Sequence, residues 1–266
     1  MHPMLNIAVR AARQAGDIII RSAESIDTLK ITIKSQNDFV TEIDKRAEED
    51  IINTLLSAYP EHGILAEESG YTNKDAEYLW IIDPLDGTTN YMHGFPHYAV
   101  SIALKKGNII EQAVIYDPVR QDLFTATRGK GATLNNRRLR VSRQRKLEGA
   151  FLGTGFPFKN NANIEPYLDI FRDIFSSTSG VRRAGAASLD LAYVAAGKLD
   201  GFFEIGLKPW DLAAGLLLIQ EAGGVVTDFT NDHEYFKSGN VVCANPNMHR
   251  VLLEKIAPHV NKVIHP

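Results

Sequence analysis

The sequence predicts a layered α/β protein in two halves that pack closely against each other. Three observations predict it. Apolar residues recur at helical spacing through residues 4–22 and 41–60. Short apolar runs bounded by turn residues fill the stretch from about residue 63 to 142. After about residue 146 strand-like and helix-like segments alternate. No internal repeat, low-complexity run or long linker interrupts the chain, so an N-terminal half over 1–146 and a C-terminal half over 147–266 are expected to form one compact unit.

The elements follow in order. Leu5, Ala8, Ala12, Ala15 and Ile19 lie near helical spacing and predict an amphipathic first helix. In "TEIDKRAEEDIINTLLSAYP", Ile43, Ala47, Ile51 and Leu55 recur every four residues. Thr41 stands three before Asp44, which resembles a capping box with Asp in place of Glu or Gln, and Pro60 follows the helix end. "GILAEE" and "YLWIID" read as short strands, and "YAVSIALKKGNIIEQAVIYDP" as two strands joined at Lys106-Gly107-Asn108. "DLFTATRG" and "RRLRVS" continue the β character. "GAFLGTGFP" reads as a strand, "EPYLDIFRDIF" as a helix, "SLDLAYVAAG" as a helix ending at Gly197, and "DGFFEIG" as a strand. "WDLAAGLLLIQEAGG" is a helix stopped by Gly223-Gly224. "VVTDF", "NVVCAN" and a helix from about Pro246 close the order.

Composition narrows the function classes. With 266 residues the chain can bury a substantial core, and 44% hydrophobic and 23% charged residues are ordinary for a soluble globular protein. A net charge of −3 gives no global attraction to nucleic acid or acidic lipid. The single cysteine, Cys243, excludes an intrachain disulfide and a cysteine-built zinc site, and it fits a reducing compartment. Arg10, Arg13 and Asp17 interrupt the apolar run that a signal peptide needs. No segment reaches the roughly 20 apolar residues of a membrane span. The reading is a cytoplasmic protein with no membrane partner.

The chemistry concentrates in "LWIIDPLDGTTN", residues 79–90. A strand delivers Asp83 and Asp86 to its C-terminal end, where α/β proteins commonly place ligands. Pro84 limits the freedom of the turn between them. Two carboxylates this close repel unless a cation or proton lies between them, and hard oxygens with no softer partner suit Mg²⁺. Gly87-Thr88-Thr89 reads as a first helical turn whose unpaired N–H groups attract an anion, with Gly87 allowing close approach. Metal plus phosphate is the simplest ligand that uses both. The blander alternative makes Asp83 and Asp86 a turn residue and an N-cap. Two further acidic positions weigh against it. Glu67 follows the apolar strand of "ILAEESG", and Asp211 opens the apolar helix behind Trp210. An exposed loop charge at Glu67 and a capping role at Asp211 are their structural alternatives.

The set "AEES … DPLDGTTN … WDLAAG" resembles the inositol monophosphatase family, and the likeness covers nearly the whole chain. It is closest to the bacterial SuhB-type branch, through "QNDFVTEID", "GTGFPF", "LDLAYVAAG" and "DGFFEIGLKPWD". The resemblance implies an α/β/α/β/α sandwich of the inositol monophosphatase and fructose-1,6-bisphosphatase type. It implies a Mg²⁺-dependent, lithium-sensitive phosphatase that hydrolyses myo-inositol 1-phosphate or a similar sugar or polyol monophosphate with a metal-activated water. Two Mg²⁺ ions are implied, with Mn²⁺ as a substitute: Glu67, Asp83 and the Leu85 carbonyl would hold the first, and Asp83, Asp86 and Asp211 the second. Glu67 and water would hold a weaker third. Gly87 and Thr88 would bind phosphate, with Asp86 and Asp211 beside it. Arg182, Gly185, Ala187 and Glu204 would meet the rest of the substrate. Glu67, Thr88 and Asp44 would orient the attacking water, with Lys34 close to the metals. Asp44 also has a purely structural explanation as a capping-box residue. Ala186 departs from the Ser or Thr that family members often carry, which puts the identity of the sugar in doubt. The family precedent implies a homodimer. Fructose-1,6-bisphosphatase and nucleotide 3′-phosphatase are the alternatives within the class.

Other signals carry less. His93 and His97 have the spacing of a helical metal pair, but Pro96 lies between them and predicts a loop. "GTGFP" lacks the third glycine of a dinucleotide fingerprint. From Leu123 to Leu147 the chain carries eight Lys or Arg and no Asp or Glu. A solvated basic hairpin explains this, and so does a surface for RNA or an acidic protein. The SuhB-type branch is associated with ribosomal-RNA transcription antitermination, beside Nus factors and RNA polymerase. The resemblance therefore implies a second, non-enzymatic alternative.

Overall fold

The computed structural model describes residues 2–23, 31–35, 38–157 and 161–263, without the side chains of 31–41 and 161. Five layers stack in the order helix, sheet, helix, sheet, helix. The first layer pairs α1 (Pro3–Ala23) with α2 (Glu42–Ala58). A short antiparallel ladder of β1 (Ile31–Ser35) and β2 (Asp38–Thr41) lies between them in sequence. The periodic residues are the buried ones: Leu5, Ala8, Ala12, Ala15 and Ile19 on α1, and Ile43, Ala47, Ile51 and Leu55 on α2. The alanines of α1 let the two helices approach closely.

Beneath these helices runs an eight-stranded sheet. Its strands are β3 (Gly63–Ala66), β4 (Gly70–Thr72), β5 (Tyr78–Asp86), then, after the one-turn helix α3 (Thr88–Met92), β6 (Ala99–Lys106), β7 (Ile109–Asp117), β8 (Asp122–Thr127), β9 (Gly131–Leu134) and β10 (Arg137–Arg138). The spatial order is β10-β9-β8-β7-β6-β5-β3-β4. Among the described strands β3 and β5 form its parallel pair, and the other neighbours run antiparallel. Both faces are buried, which explains the unbroken apolar run of β5. Trp80 and Ile82 pack toward α1 and α2, while Leu79 and Ile81 pack into the core on the other side. The expected turn after Lys106 is present, with Gly107 at φ 56°. "RRLRVS" is shorter than expected as a strand. After β10 the chain leaves the sheet, and the Val141 N–H bonds the Ala222 carbonyl across the core.

The remaining elements are β11 (Phe151–Thr154), α4 (Ile164–Phe175), β12 (Gly180–Arg182), α5 (Ala187–Ala195), β13 (Gly201–Glu204), α6 (Pro209–Glu221), β14 (Val225–Thr227), α7 (Tyr235–Ser238), β15 (Val241–Ala244) and α8 (Pro246–Ile256). Five strands form the second sheet in the order β12-β11-β13-β15-β14. Helices α5 and α6 lie between the sheets. Leu189, Leu191, Leu212, Leu216 and Leu217 join Ile81, Ala103, Ile115 and Phe124 from one sheet and Phe202 and Cys243 from the other in a single core. A helix between two sheets is apolar all round, and α6 reads that way from Leu212 to Ile219. The outer layer sets Tyr167, Ile170 and Ile174 of α4 and Met248, Leu252 and Ile256 of α8 against Leu152, Phe203 and Val242. Asn245 caps α8 by accepting from the N–H groups of Asn247 and Met248. No helix among the described residues is long and apolar enough to cross a membrane.

Candidate active site

The site begins with an irregularity in β5. Asp83 pairs with Ser101 and Asp86 with Ala99, so three steps on β5 match two on β6. That is a β-bulge. In a regular strand residues three apart face opposite sides, and one extra residue restores the same side. Pro84 occupies the bulge, where a missing ladder donor costs nothing. The Leu85 N–H turns back to Asp83 Oδ1 at 3.0 Å. The bulge therefore sends both carboxylates into one cleft.

The third carboxylate comes from the other half of the chain. Asp211 lies in the first turn of α6, behind Pro209, and its Oδ2 accepts from the Lys208 N–H at 2.6 Å. The capping role and the site role coexist. One carboxylate oxygen from each of Asp83, Asp86 and Asp211 lies within 4.8 Å of the others. Glu67 follows β3 and lines the same cleft, outside that tight trio. Burial, with the charges of Glu67, Asp86 and Asp211, pushes Asp83 well above the usual carboxylate range. Burial and Asp211 push Asp86 up to about 7, against the hydrogen bonds of Ser188. This is the electrostatic state of oxygens gathered for a cation. Hard, closely spaced carboxylates fit Mg²⁺ or Mn²⁺ and do not fit a soft metal.

Beyond the trio the backbone turns sharply. Gly87 has φ 94°, and a Cβ there would meet the His97 carbonyl at 2.9 Å and the Ala186 Cβ at 3.3 Å. Thr88 starts α3, and Gly87, Thr88 and Thr89 line the cleft. Thr88 Oγ1 stands 3.0 Å from Asp44 Oδ1 and 3.0 Å from the Leu85 carbonyl, so its one proton has two acceptors. Asp44, in the first turn of α2, is 1% exposed and faces Thr88. The side chains of Lys34 and Thr41 lie outside the described residues.

The opposite wall comes from α5 and β13. Gly185, Ala187 and Glu204 line the cleft. Arg182 does not. Its guanidinium sits 4.7 Å from the centroid of the Phe151 ring, on the outer side of β12. Arg183 reaches the cleft instead, because consecutive residues of an extended segment face opposite ways. Ala186 is the N-cap of α5 and supplies no side-chain cap. Asp86 does this from across the site: its Oδ2 accepts from the Ser188 N–H at 2.7 Å and from the Ser188 hydroxyl at 2.5 Å. A carboxylate at a helix N-terminus is favourable by dipole and by hydrogen bond.

Several contributors were not legible from sequence. Glu48, 3% exposed, accepts from the N–H groups of Glu68 and Ser69 and so fixes the loop that carries Glu67. Asn90 Nδ2 donates to the carbonyls of His97 and Ala184 and ties the turn after β5 to the opposite wall. Ser188, Arg183 and Asp190 belong to the same group. The contacts to Asn90 and Ser188 span 94 and 102 residues, and no local spacing encodes them. His93 and His97 lie on the expected loop after α3 and outside the cleft.

Known proteins resemble this chain in sequence and fold. The model of the inositol monophosphatase family matches residues 1–265. The Nus factor SuhB of Pseudomonas aeruginosa is 56% identical over 265 residues, 98% of either chain. The crystal structure of the extragenic suppressor protein SuhB from Bartonella henselae superposes with a TM-score of 0.93 at 42% identity, covering 96% of this chain and 98% of that one. Inositol monophosphatase from Anabaena superposes with a TM-score of 0.84 at 38% identity, covering 96% and 95%. With two thirds of the trio on one bulged strand and the third on the helix between the sheets, the chain belongs to the inositol monophosphatase family.

Proposed function

We propose that this chain is a Mg²⁺-dependent phosphomonoesterase acting on myo-inositol 1-phosphate or a similar sugar or polyol monophosphate. The observation that carries it is the convergence of Asp83, Asp86 and Asp211 within 4.8 Å, beside the amides of Gly87 and Thr88. Asp83, Asp86 and Asp211, with Glu67 and the Leu85 carbonyl, would hold two Mg²⁺ ions, and Glu67 a weaker third. Bound cations offset the charge of a phosphate dianion and acidify water. The chain's own groups do the rest. The first-turn amides of Gly87 and Thr88 hold phosphate oxygens. With its proton given to Asp44, the Thr88 oxygen accepts from a water, and Glu67 accepts that water's second proton. Thr88 and Glu67 thus aim the water at phosphorus. Glu204, Gly185 and Ala187 face the alcohol that leaves. Because Asp211 comes from 147–266 and the other ligands from 1–146, the two halves act as one unit; family precedent makes that unit a protomer of a homodimer, and the composition fits the cytoplasm.

Phosphate release from a panel of inositol, fructose and nucleotide phosphates tests the reading. Release is expected with Mg²⁺, and its loss with chelator, with Li⁺, and in Asp83→Asn and Asp211→Asn. Full activity in both variants would remove the metal assignment.

A second reading has its own support. Arg128, Lys130, Arg137, Arg138, Arg140, Arg143, Arg145 and Lys146 are all exposed, and curated relatives at 50–56% identity are named Nus factor SuhB. The chain would then join Nus factors and RNA polymerase through this basic face, with catalysis secondary. Pull-down with those factors, before and after neutralising Arg137, Arg138, Arg140, Arg143 and Arg145, tests it. Unchanged capture would exclude the basic face.

A further inference from the structure

The wall of the cleft facing the carboxylate trio carries a second acidic side chain besides Glu204. Asp190, in the first turn of α5, lines the cleft and is only 2% exposed, carboxylate included. Among the described residues that carboxylate accepts no hydrogen bond, and the same holds for Glu204. A buried acceptor without a donor is expensive unless a ligand or water supplies one. The strand beside them leaves room for the Glu204 carboxylate. A Cβ on Gly155 would collide with the Glu204 carboxylate. A Cβ on Gly153 would stand 3.6 Å from the Asp190 Cγ and press on Leu199 and Phe202. The "GTG" that ends β11, which makes no dinucleotide fingerprint, thus leaves room at Gly155 for the Glu204 carboxylate and at Gly153 for Leu199 and Phe202, with Asp190 in ordinary contact beside them. Its central Thr154 hydroxyl is already engaged with the Phe203 carbonyl and Tyr167.

We propose that Asp190 is a second substrate-facing acceptor, which with Glu204 takes hydrogen bonds from two hydroxyl groups of the leaving alcohol. The inference rests on the phosphomonoesterase reading. It makes Asp190 a specificity-determining residue that selects esters of polyhydroxylated alcohols over esters with bare alkyl or aryl groups. Arg183 lines the same cleft, and its positive charge partly offsets the two carboxylates. A site built to accept from a hydroxyl rejects the analogue that lacks it, because the acceptor is then left buried and unpaired.

The test compares kcat/KM for myo-inositol 1-phosphate, glycerol 2-phosphate and phenyl phosphate in the wild type, Asp190→Asn and Asp190→Ser, with thermal midpoints as the check on folding. Both variants should lose about 10-fold or more on inositol 1-phosphate, chiefly through KM, and less than about 2-fold on phenyl phosphate. An equal loss on all three esters, or none on any, overturns the proposal. Wild-type hydrolysis of phenyl phosphate reports separately on the phosphatase reading. If the wild type turns over none of the esters, that reading fails, and calorimetric binding of inositol 1-phosphate with Mg²⁺ decides Asp190. At least about 10-fold weaker binding in Asp190→Asn supports it, and equal or absent binding overturns it.

Discussion

Burial and neighbouring carboxylates make the charged forms of Asp83 and Asp86 unfavourable unless something cationic joins them, and this governs what substitutions there will do. Asp86 is the clearest case. Burial and the Asp211 charge push its pKa in the folded chain up to about 7, above the ordinary carboxylate range. A carboxyl raised in the fold is protonated by the folded chain before the unfolded one, so metal-free stability should rise as pH falls from about 8 to 6. Thermal midpoints in chelator should show that rise, and Asp86→Asn should flatten it. The difference between the two proteins isolates this group from His97 and His249, whose lowered pKa values act in the opposite sense. Added Mg²⁺ should raise the midpoint of the wild type and erase the pH trend. Ser188→Ala removes a hydroxyl donor to Asp86 and should cost about 1 kcal/mol of stability, with about 10-fold weaker Mg²⁺ binding by calorimetry. Gly87→Ala forces a side chain into a left-handed backbone against the His97 carbonyl, and should cost about 2 kcal/mol or more and abolish phosphate release. The sequence shows Asp83, Asp86, Gly87 and Thr88 because they stand together. It hides Ser188 and Asn90, whose partners are brought close only by folding.

Among the elements, the bulge in β5 does the most for function. An apolar run ending in Asp-Pro-Leu-Asp announces a strand and a turn, but not that the ladder continues to Asp86 with a shifted register. Inserting one residue between Leu85 and Asp86 would set the two carboxylates four apart against a one-residue bulge and turn Asp86 away from Asp83. Such a variant should lose Mg²⁺-dependent stabilisation in thermal melts, whereas Pro84→Ala, which keeps the residue count, should retain most of it. Helix periodicity reads well here because the buried faces of α1 and α2 lie against one neighbour layer each. It reads α6 as apolar all round, which says buried without saying between which layers. The second arginine of "RRAGAA" reaches the cleft and the first does not, a distinction set by which side of β12 faces the site. "RRLRVS" has the composition of a strand, and Arg137 to Leu139 do pair with β9, but Val141 finds its backbone partner at the end of α6 and not in the sheet.

At the scale of the molecule, the catalytic reading depends on α6. It packs between the two sheets and carries Asp211 to the carboxylates of β5, so bound cations would link the halves. Saturating Mg²⁺ should therefore raise a single cooperative unfolding transition of the whole chain, with no separate melting of one sheet. The exposed basic face around Arg137 to Lys146 lies outside the cleft. Neutralising it should leave phosphate release unchanged within about 2-fold while any capture of Nus factors falls. The most direct test of the central claim is anomalous scattering from crystals soaked in Mn²⁺. The account predicts peaks between Asp83, Asp86 and Asp211, absent in crystals of Asp83→Asn. A site without metal peaks in a protein that still releases phosphate would contradict it.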